Sequence, residues 1–330
     1  MGKTAVETNN LDTYFMQLHS KWAEDLVDQT IENNNVLFAL RELGKFKSYT
    51  DLVDLKVRVK HELITGQTYS RRGKIDITKH DPETMAEWKE KHMAWSIVYY
   101  YHDIINTGSS RLYDVFEEQS KMILEDAPKM VEDQILGSGT PSSTEVEGLE
   151  FVLSNATNVN TVGRIDRSSA ENDWWRHRAI DFSSLNFSTQ GLSAMQQLYT
   201  DLTLSGSPTD LIIAHDDVFN AIHDLGFANS VQQGLAAKML AMGFDALRFK
   251  QATIINSPKV PTGKMYFLYS PDFDIMVNSN DDMNFHQPSW DAERPGDRVF
   301  PITKTMNIKW NRLRKQGVIH SITVNKQTIT

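Results

Sequence analysis

The spacing of hydrophobic positions changes several times along the chain, and each change predicts an element. Leu11, Phe15, Leu18, Trp22 and Leu26 recur at three- and four-residue steps in a polar stretch, one apolar stripe of a helix that Asn10 would cap. The run Asn33-Asn34-Asn35 breaks that pattern, and a short helix from Val36 to Leu43 ends at Gly44. The period then drops to two. Leu55, Val57 and Val59 alternate with Lys56, Arg58 and Lys60, and Ile75-Asp76-Ile77 alternates again beyond two turns, so residues 45–79 read as a long two-stranded arm. Met85 to His92 reads as helix. Trp95, Ile97, Tyr99 and Tyr101 alternate with Ala94, Ser96, Val98 and Tyr100, a strand covered on both faces. The longest helical pattern runs from 109 to 136 through Leu112, Val115, Phe116, Gln119, Met122, Ile123, Met130 and Val131, with Pro128 expected to bend or divide it.

Gly137 to Ser143 reads as a linker, and beyond it strands and helices mix. Leu149 to Leu153 is a short apolar run. A helix from Gly191 to Leu204 presents Leu192, Met195, Leu198, Tyr199 and Leu202. Leu211-Ile212-Ile213-Ala214 is a buried strand followed by a capped helix, Asp216 to Leu225, and Ala236 to Met242 is a small helix. Strands follow at Thr253–Ile255, Met265–Tyr269, Phe273–Val277, Thr305–Trp310 and Gly317–Val324. No βαβ repetition appears, so the class is α+β.

Charge sharpens this picture. The chain of 330 residues carries a formal net charge of -9, which disfavours a dedicated nucleic-acid binder. Yet residues 45–79 hold nine Lys/Arg against four Asp/Glu. An isolated hairpin is marginal in water, so Lys56, Arg58, Lys60, Arg71, Arg72 and Lys74 are candidates to lie on an acidic surface of a neighbouring copy. The helix of 109–136 holds seven acidic residues against three basic ones, and Glu117 and Glu118 on it are candidate partners. Phe15 and Trp22, on a stripe that precedes any visible core, are candidates to be covered by another part of the fold or another subunit. The absence of cysteine excludes disulfides, thiol catalysis and cysteine-ligated zinc, and fits a reducing cytoplasm. Residues 1–10 lack the apolar core of a secretory signal, and no window has the apolar length of a membrane span. Metal ligands and cofactors are not expected: His215-Asp216-Asp217 reads as a helix cap, and Asp281 and Asp282 with Asp291, Glu293 and Asp297 read as a solvated acidic loop.

The second half carries a resemblance. Gly163-Arg164-Ile165-Asp166-Arg167-Ser168, followed by Asp173-Trp174-Trp175-Arg176, resembles the GIDRS…WWR segment of tailed-phage major capsid proteins. Pro261-Thr262-Gly263-Lys264-Met265-Tyr266-Phe267-Leu268 is similar to that family's PxGxMYFL. The ending, from Asn307 to Arg312 and Gly317 to Thr323, is similar as well. The resemblance covers about residues 160–325 and implies the capsid fold named after phage Hong Kong 97. It implies an N-terminal arm (1–45), an extended loop (46–83), a peripheral domain (84–185) with its spine helix (109–136), and an axial domain (186–288). Strands of 289–330 would return to the peripheral domain. No long scaffolding segment precedes the arm, so either a protease removes one, a separate scaffold serves, or none is needed.

The function implied is a structural one: self-assembly into pentamers and hexamers of an icosahedral shell. That shell would enclose double-stranded DNA without sequence-specific binding, with portal, scaffold and decoration proteins as partners, no membrane, and assembly in the host cytoplasm. Arg164, Asp166, Arg167, Trp174 and Trp175 are then inter-subunit contact candidates, with loop carboxylates paired to arginines and the tryptophans packed at an interface. Two alternatives stand beside it. One is an encapsulin-type storage shell of the same fold. The other is a carbohydrate-active hydrolase using Asp166 and Asp173 as its carboxylate pair, with Trp174 and Trp175 stacking a sugar.

Overall fold

The computed structural model describes residues 34–60, 83–99, 109–203, 206–225, 238–240, 246–286, 289–290 and 298–324. The stripe at 11–26 and the turns and second strand expected between 61 and 82 lie outside these residues.

Helix α1 (Asn35–Glu42) starts where the asparagine run gives it a cap: Asn34 accepts from the amides of Val36 and Leu37. It stops at Gly44, which takes φ +64° and donates to the Arg41 carbonyl. Val36 to Leu40 are all buried. Although it falls in the stretch expected as an arm, α1 is therefore part of the main core. It packs on helix α2 (Ser109–Leu136), whose buried Glu132 accepts from Asn34 at 2.8 Å and from Ser257 at 2.5 Å. Helix α2 continues through Pro128 as one element of 28 residues, neither divided nor interrupted. Its buried face is Ile123, Ala127, Val131, Ile135 and Leu136, whereas Met122, expected on that face, points to solvent.

Two six-stranded sheets carry the rest. The first is organised by the 13-residue strand β15 (Arg298–Trp310). One edge of β15 pairs with β12 (Phe273–Asn278), β13 (Asn284–Phe285) and β14 (Ser289–Trp290), and the other with β4 (Lys91–Tyr99). Strand β1 (Phe46–Tyr49) adds to β12 in parallel. Residues 85–92, whose spacing predicts a helix, are not helical. They divide between β3 (Glu83–Glu87) and the start of β4, because β3 pairs with β2 (Lys56–Lys60) and β4 with β15. Strand β4 is covered on one face only: Met93, Trp95 and Ile97 are buried, and His92, Ala94 and Ser96 are exposed.

The second sheet runs β7 (Arg178–Asp181), β16 (Gly317–His320), β11 (Met265–Leu268), β8 (Leu211–Ala214), β10 (Ala252–Asn256), β9 (Ala246–Phe249). Its two innermost strands, β11 and β8, are hydrophobic at every position because both faces are buried. Ile212, Ala214, Ile254, Met265, Phe267 and Ile319 face helices α4 (Phe187–Leu202) and α5 (Asp216–Asp224). Leu211, Ile213, Ile255, Tyr266, Leu268 and Val318 face the larger core with α1, α2 and the first sheet. The chain passes between the sheets three times, and the last two crossings are tied together. Gln316 accepts from the Tyr269 amide at 2.9 Å and donates to its carbonyl at 3.2 Å, while the Asn311 amide donates to the Asp272 carbonyl at 2.7 Å. Strand β12, expected among the axial elements, thus belongs to the first sheet, and β16, expected among the returning peripheral strands, belongs to the second.

The stretch expected as a linker after α2 is a packed turn. Lys91 reaches into it and donates to the carbonyls of Thr140, Pro141 and Ser143. Helix α3 (Leu149–Val152) follows. Glu147 in this turn is buried, and burial raises its carboxyl to about 7 against the opposing pull of Lys91 and Asn307. The expected acidic loop is also bound. Asp281 accepts from Thr303 and Thr305, and Asp282 pairs with Lys304 of β15, while Asp291, Glu293 and Asp297 lie outside the described residues. Among the described residues, no helix is long and apolar enough to cross a membrane, and no acidic or histidine cluster is arranged to hold a metal ion.

Candidate inter-subunit surface

The segment that carries the capsid-like motif begins as a small hairpin, β5 (Thr161–Val162) and β6 (Ile165–Asp166), closed by Gly163 and Arg164. Both turn residues have positive φ, +58° and +65°, the backbone of a tight two-residue turn. Glycine is required at 163 for a second reason. A Cβ there would come within 3.0 Å of Ala86 and Trp88, so the turn sits directly on β3 and the coil after it. The Glu87 amide donates to the Gly163 carbonyl at 3.2 Å. Arg164, exposed, reaches the Glu87 carboxylate at 2.7 Å, and Lys56 lies 3.5 Å from the same group. The motif turn therefore clamps the base of the β2–β3 hairpin, from which residues 61–82 depart.

The rest of the motif is an internal framework. The Arg167 side chain is fully buried. It donates to the Val152 carbonyl at 2.7 Å, to the Asn160 carbonyl at 3.3 Å and to Nδ1 of His177 at 2.9 Å. His177 accepts at Nδ1 and donates from Nε2 to the Ser154 carbonyl at 2.8 Å, which assigns the neutral tautomer. Burial, then the Arg167 charge, push the His177 imidazole down to about 3. Trp175 is buried as well, donating to the Val162 carbonyl at 3.1 Å. Arg167 and Trp175 thus have no surface left for a neighbouring copy. Their contact role is corrected: they hold residues 152–177 in one shape by binding loop carbonyls.

The surface of the segment includes Arg164, Asp166, Asp173 and part of Trp174, whose ring lies 5.5 Å from that of Trp175. Asp166 accepts from the amide and hydroxyl of Ser168 at 2.9 and 2.8 Å, and those bonds hold its carboxyl below the usual range. Asp173 pairs with Arg176 at 2.9 Å. A glycosidase pair needs one carboxyl raised to act as acid and an exposed ring to stack sugar. Trp175 is inside, and Asp166 and Asp173 are each held by a local partner, Ser168 and Arg176, an arrangement that suits a structural turn better than that chemistry.

Of the remaining candidates, Lys56 and Arg58 lie on β2 in register with Glu87 and Met85, and Lys60 ends the strand opposite Glu83. Around them Leu52, Val53 and Met85 are 56%, 63% and 52% exposed, a concentration of uncovered apolar side chains at the hairpin base. Glu117 and Glu118 lie on α2. Two ion pairs of these elements lie elsewhere among the described residues: Asp133 of α2 pairs with Lys259 at 2.7 Å, and Lys56 pairs inside its own hairpin. Phe15, Trp22, Arg71, Arg72 and Lys74 lie outside the described residues. His177, Asn160 and Ser154, which fix Arg167, carried no sequence signal, since none belongs to a motif and each meets Arg167 only through the fold.

No protein-family model matches the chain, and no curated protein matches it in sequence. Solved structures do. The capsid asymmetric unit of cyanophage A-1(L) covers 86% of this chain and 92% of its own at 13% identity, with a TM-score of 0.57. The capsid of the native GTA particle covers 86% and 90% at 10% identity, with a TM-score of 0.58. A Mycobacterium phage Patience structure covers 96% and 89% at 12% identity, with a TM-score of 0.50. At these identities the likeness is one of fold, and the fold is the Hong Kong 97-type capsid fold.

Proposed function

We propose that this chain, with its two tied sheets and long helix α2 arranged as in capsid subunits, is the structural building block of a closed viral shell. The observation that carries the reading is the extent of the match, most of this chain on most of a capsid subunit, rather than a shared core motif. The first sheet with α2 serves as the peripheral part and the second sheet with α4 and α5 as the axial part near the capsomer centre. Residues 61–82 extend from the hairpin base onto a neighbouring copy, and the uncovered Leu52, Val53 and Met85 are completed by that contact. Copies form rings of six and five through repeated heterologous contacts.

The role is structural rather than enzymatic. The shell encloses double-stranded DNA without reading its sequence, as the net charge of -9 suits. Portal, scaffold and decoration proteins are its partners, and assembly takes place in the host cytoplasm before the chain resides in the virion. Electron microscopy of the purified full chain tests this. Rings, sheets or closed shells of uniform size are expected, and a preparation that stays monomeric at every concentration and salt would overturn the reading.

A further inference from the structure

Strand β4 has β15 on one side and, among the described residues, no strand on the other. The Val98 carbonyl accepts from the side chain of Gln119 of α2 at 3.4 Å, so it points away from β15. Backbone direction alternates along a strand, so the N–H and C=O groups of Ser96, Ala94 and His92 point to the same open edge. Pro301, which has no N–H to offer, stands opposite Ser96 in agreement with this. Proteins blunt open edges with Lys, Pro or bulges. His92, Ala94, Ser96 and Val98 supply neither residue, and their register with β15 is unbroken. On the same side, α2 and β4 leave a groove of about 370 Å³ lined by Trp95, Met122, Ile123, Glu125, Asp126 and Lys129, with Met122 60% exposed. An open edge beside an acidic-rimmed apolar trough fits the addition of a short basic strand.

We propose that the occupant is strand β2 of a second copy. Within its own chain β2 pairs with β3 alone among the described residues. The Glu87 amide, directly opposite Lys56, donates away from β2 to the Gly163 carbonyl. The backbone of Lys56, and with it that of Arg58, therefore faces the open edge of β2. Both side chains are exposed on one face of that strand. Two β2 edges repel each other through these cations. The outward positions of β4 carry no Lys, Arg, Asp or Glu and lie beside Glu125 and Asp126, so charge selects β4 over β2 as the partner edge. Laid on β4, the aliphatic stems of Lys56 and Arg58 cover Met122 while their charged ends meet the two carboxylates. The β2–β3 ribbon then continues the first sheet of the neighbouring copy. The two edges are different surfaces, so the contact is heterologous and repeats around a ring. This inference rests on the shell reading and names the surfaces through which copies join.

Hydrogen exchange of the purified full chain, read residue by residue by mass spectrometry, tests the pairing without any substitution. The amides of Ala94, Ser96 and Arg58 are expected to exchange freely in unassembled chains and on the order of a hundredfold more slowly in particles. Amides already protected in the unassembled chain overturn the proposal, because the edge is then covered from within. Amides still fast in particles overturn it as well and leave the shell reading standing. A chain that never associates overturns the shell reading and this inference with it. Charge reversal supplies a second measurement. Arg58→Glu is expected to lower particle yield about tenfold, and the same chain carrying Glu125→Lys and Asp126→Lys to recover most of that loss. Unfolding midpoints of the unassembled variants should stay close to that of the parent. Unchanged yield with Arg58→Glu, or no recovery with the added lysines, overturns the proposal.

Discussion

The central strands of the second sheet and the base of the β2–β3 hairpin are both short β structure, yet they are finished in opposite ways. Strands β8, β10, β11 and β16 bury both faces inside one chain, and every position of β8, β11 and β16 is closed to solvent. The hairpin base pairs only with itself, is clamped by one exposed arginine, and leaves Leu52, Val53 and Met85 in water. Burial at about 25 cal/mol per Å² of apolar surface makes the first region self-sufficient and leaves the second short of cover. In a lone globule that shortfall is a liability. In a thin shell it is where stability is transferred to contacts between copies.

Substitutions should separate the two regions clearly. Phe267→Ala in β11 removes a fully buried ring between α4 and the sheet, and should cost about 3–5 kcal/mol in chemical denaturation of the unassembled chain. Val57→Ala on the half-covered β2 should cost under about 1 kcal/mol by the same measurement. Equal losses would remove the contrast.

A pH series probes the packed turn between the regions. Glu147 binds its proton more tightly when folded, since burial raises its carboxyl from 4.5 to about 7. The folded chain then holds more protons than the unfolded one between those values, so this group's stabilisation is complete below 4.5 and is lost as pH rises through 7. The full loss is on the order of 3 kcal/mol. His177, kept neutral with its imidazole near 3, acts in the opposite sense, losing stability as pH falls below its ordinary value of 6.5. Glu147→Gln should therefore flatten the decline toward neutral pH in urea melts and leave the acid-side loss in place. A variant that still declines as the parent does would show that Glu147 is not the group responsible.

The smallest effect on the single chain should come from Arg164→Ala. Its bond to Glu87 is solvent-exposed, so unfolding stability should change by less than about 1 kcal/mol. Because that bond orients the hairpin base, particle yield should fall much more than stability does, measured on one preparation by sedimentation and by denaturation.

The self-sufficient region was also the more legible one. Its continuous apolar runs, Leu211 to Ala214 and Met265 to Leu268, state burial on both faces without knowledge of partners. The hairpin base and its surroundings depend on distant pairing. Residues 85–92 carry a period that suits a helix, and only Lys56–Lys60 and the far end of β15 make them strands. Pro128 removes one helical hydrogen bond, and a 28-residue helix with a buried face tolerates the loss. Arg167 and Trp175 look like surface residues because of their charge and size. The loop carbonyls of Val152, Asn160 and Val162 that draw them inside have no signature in the sequence. The sheet exchanged by β12 and β16 was hidden for the same reason, since nothing local marks where the chain crosses over.

Loop replacement tests the shell role most directly. Residues 61–82 can be replaced by Asn-Gly, which closes β2 onto β3 in the observed register of Lys60 with Glu83. The shortened chain should remain folded, with an unfolding midpoint close to that of the parent, and should form no closed particles under the microscope. Closed shells at unchanged yield and stability would contradict the transfer of stability from the hairpin to a neighbouring copy.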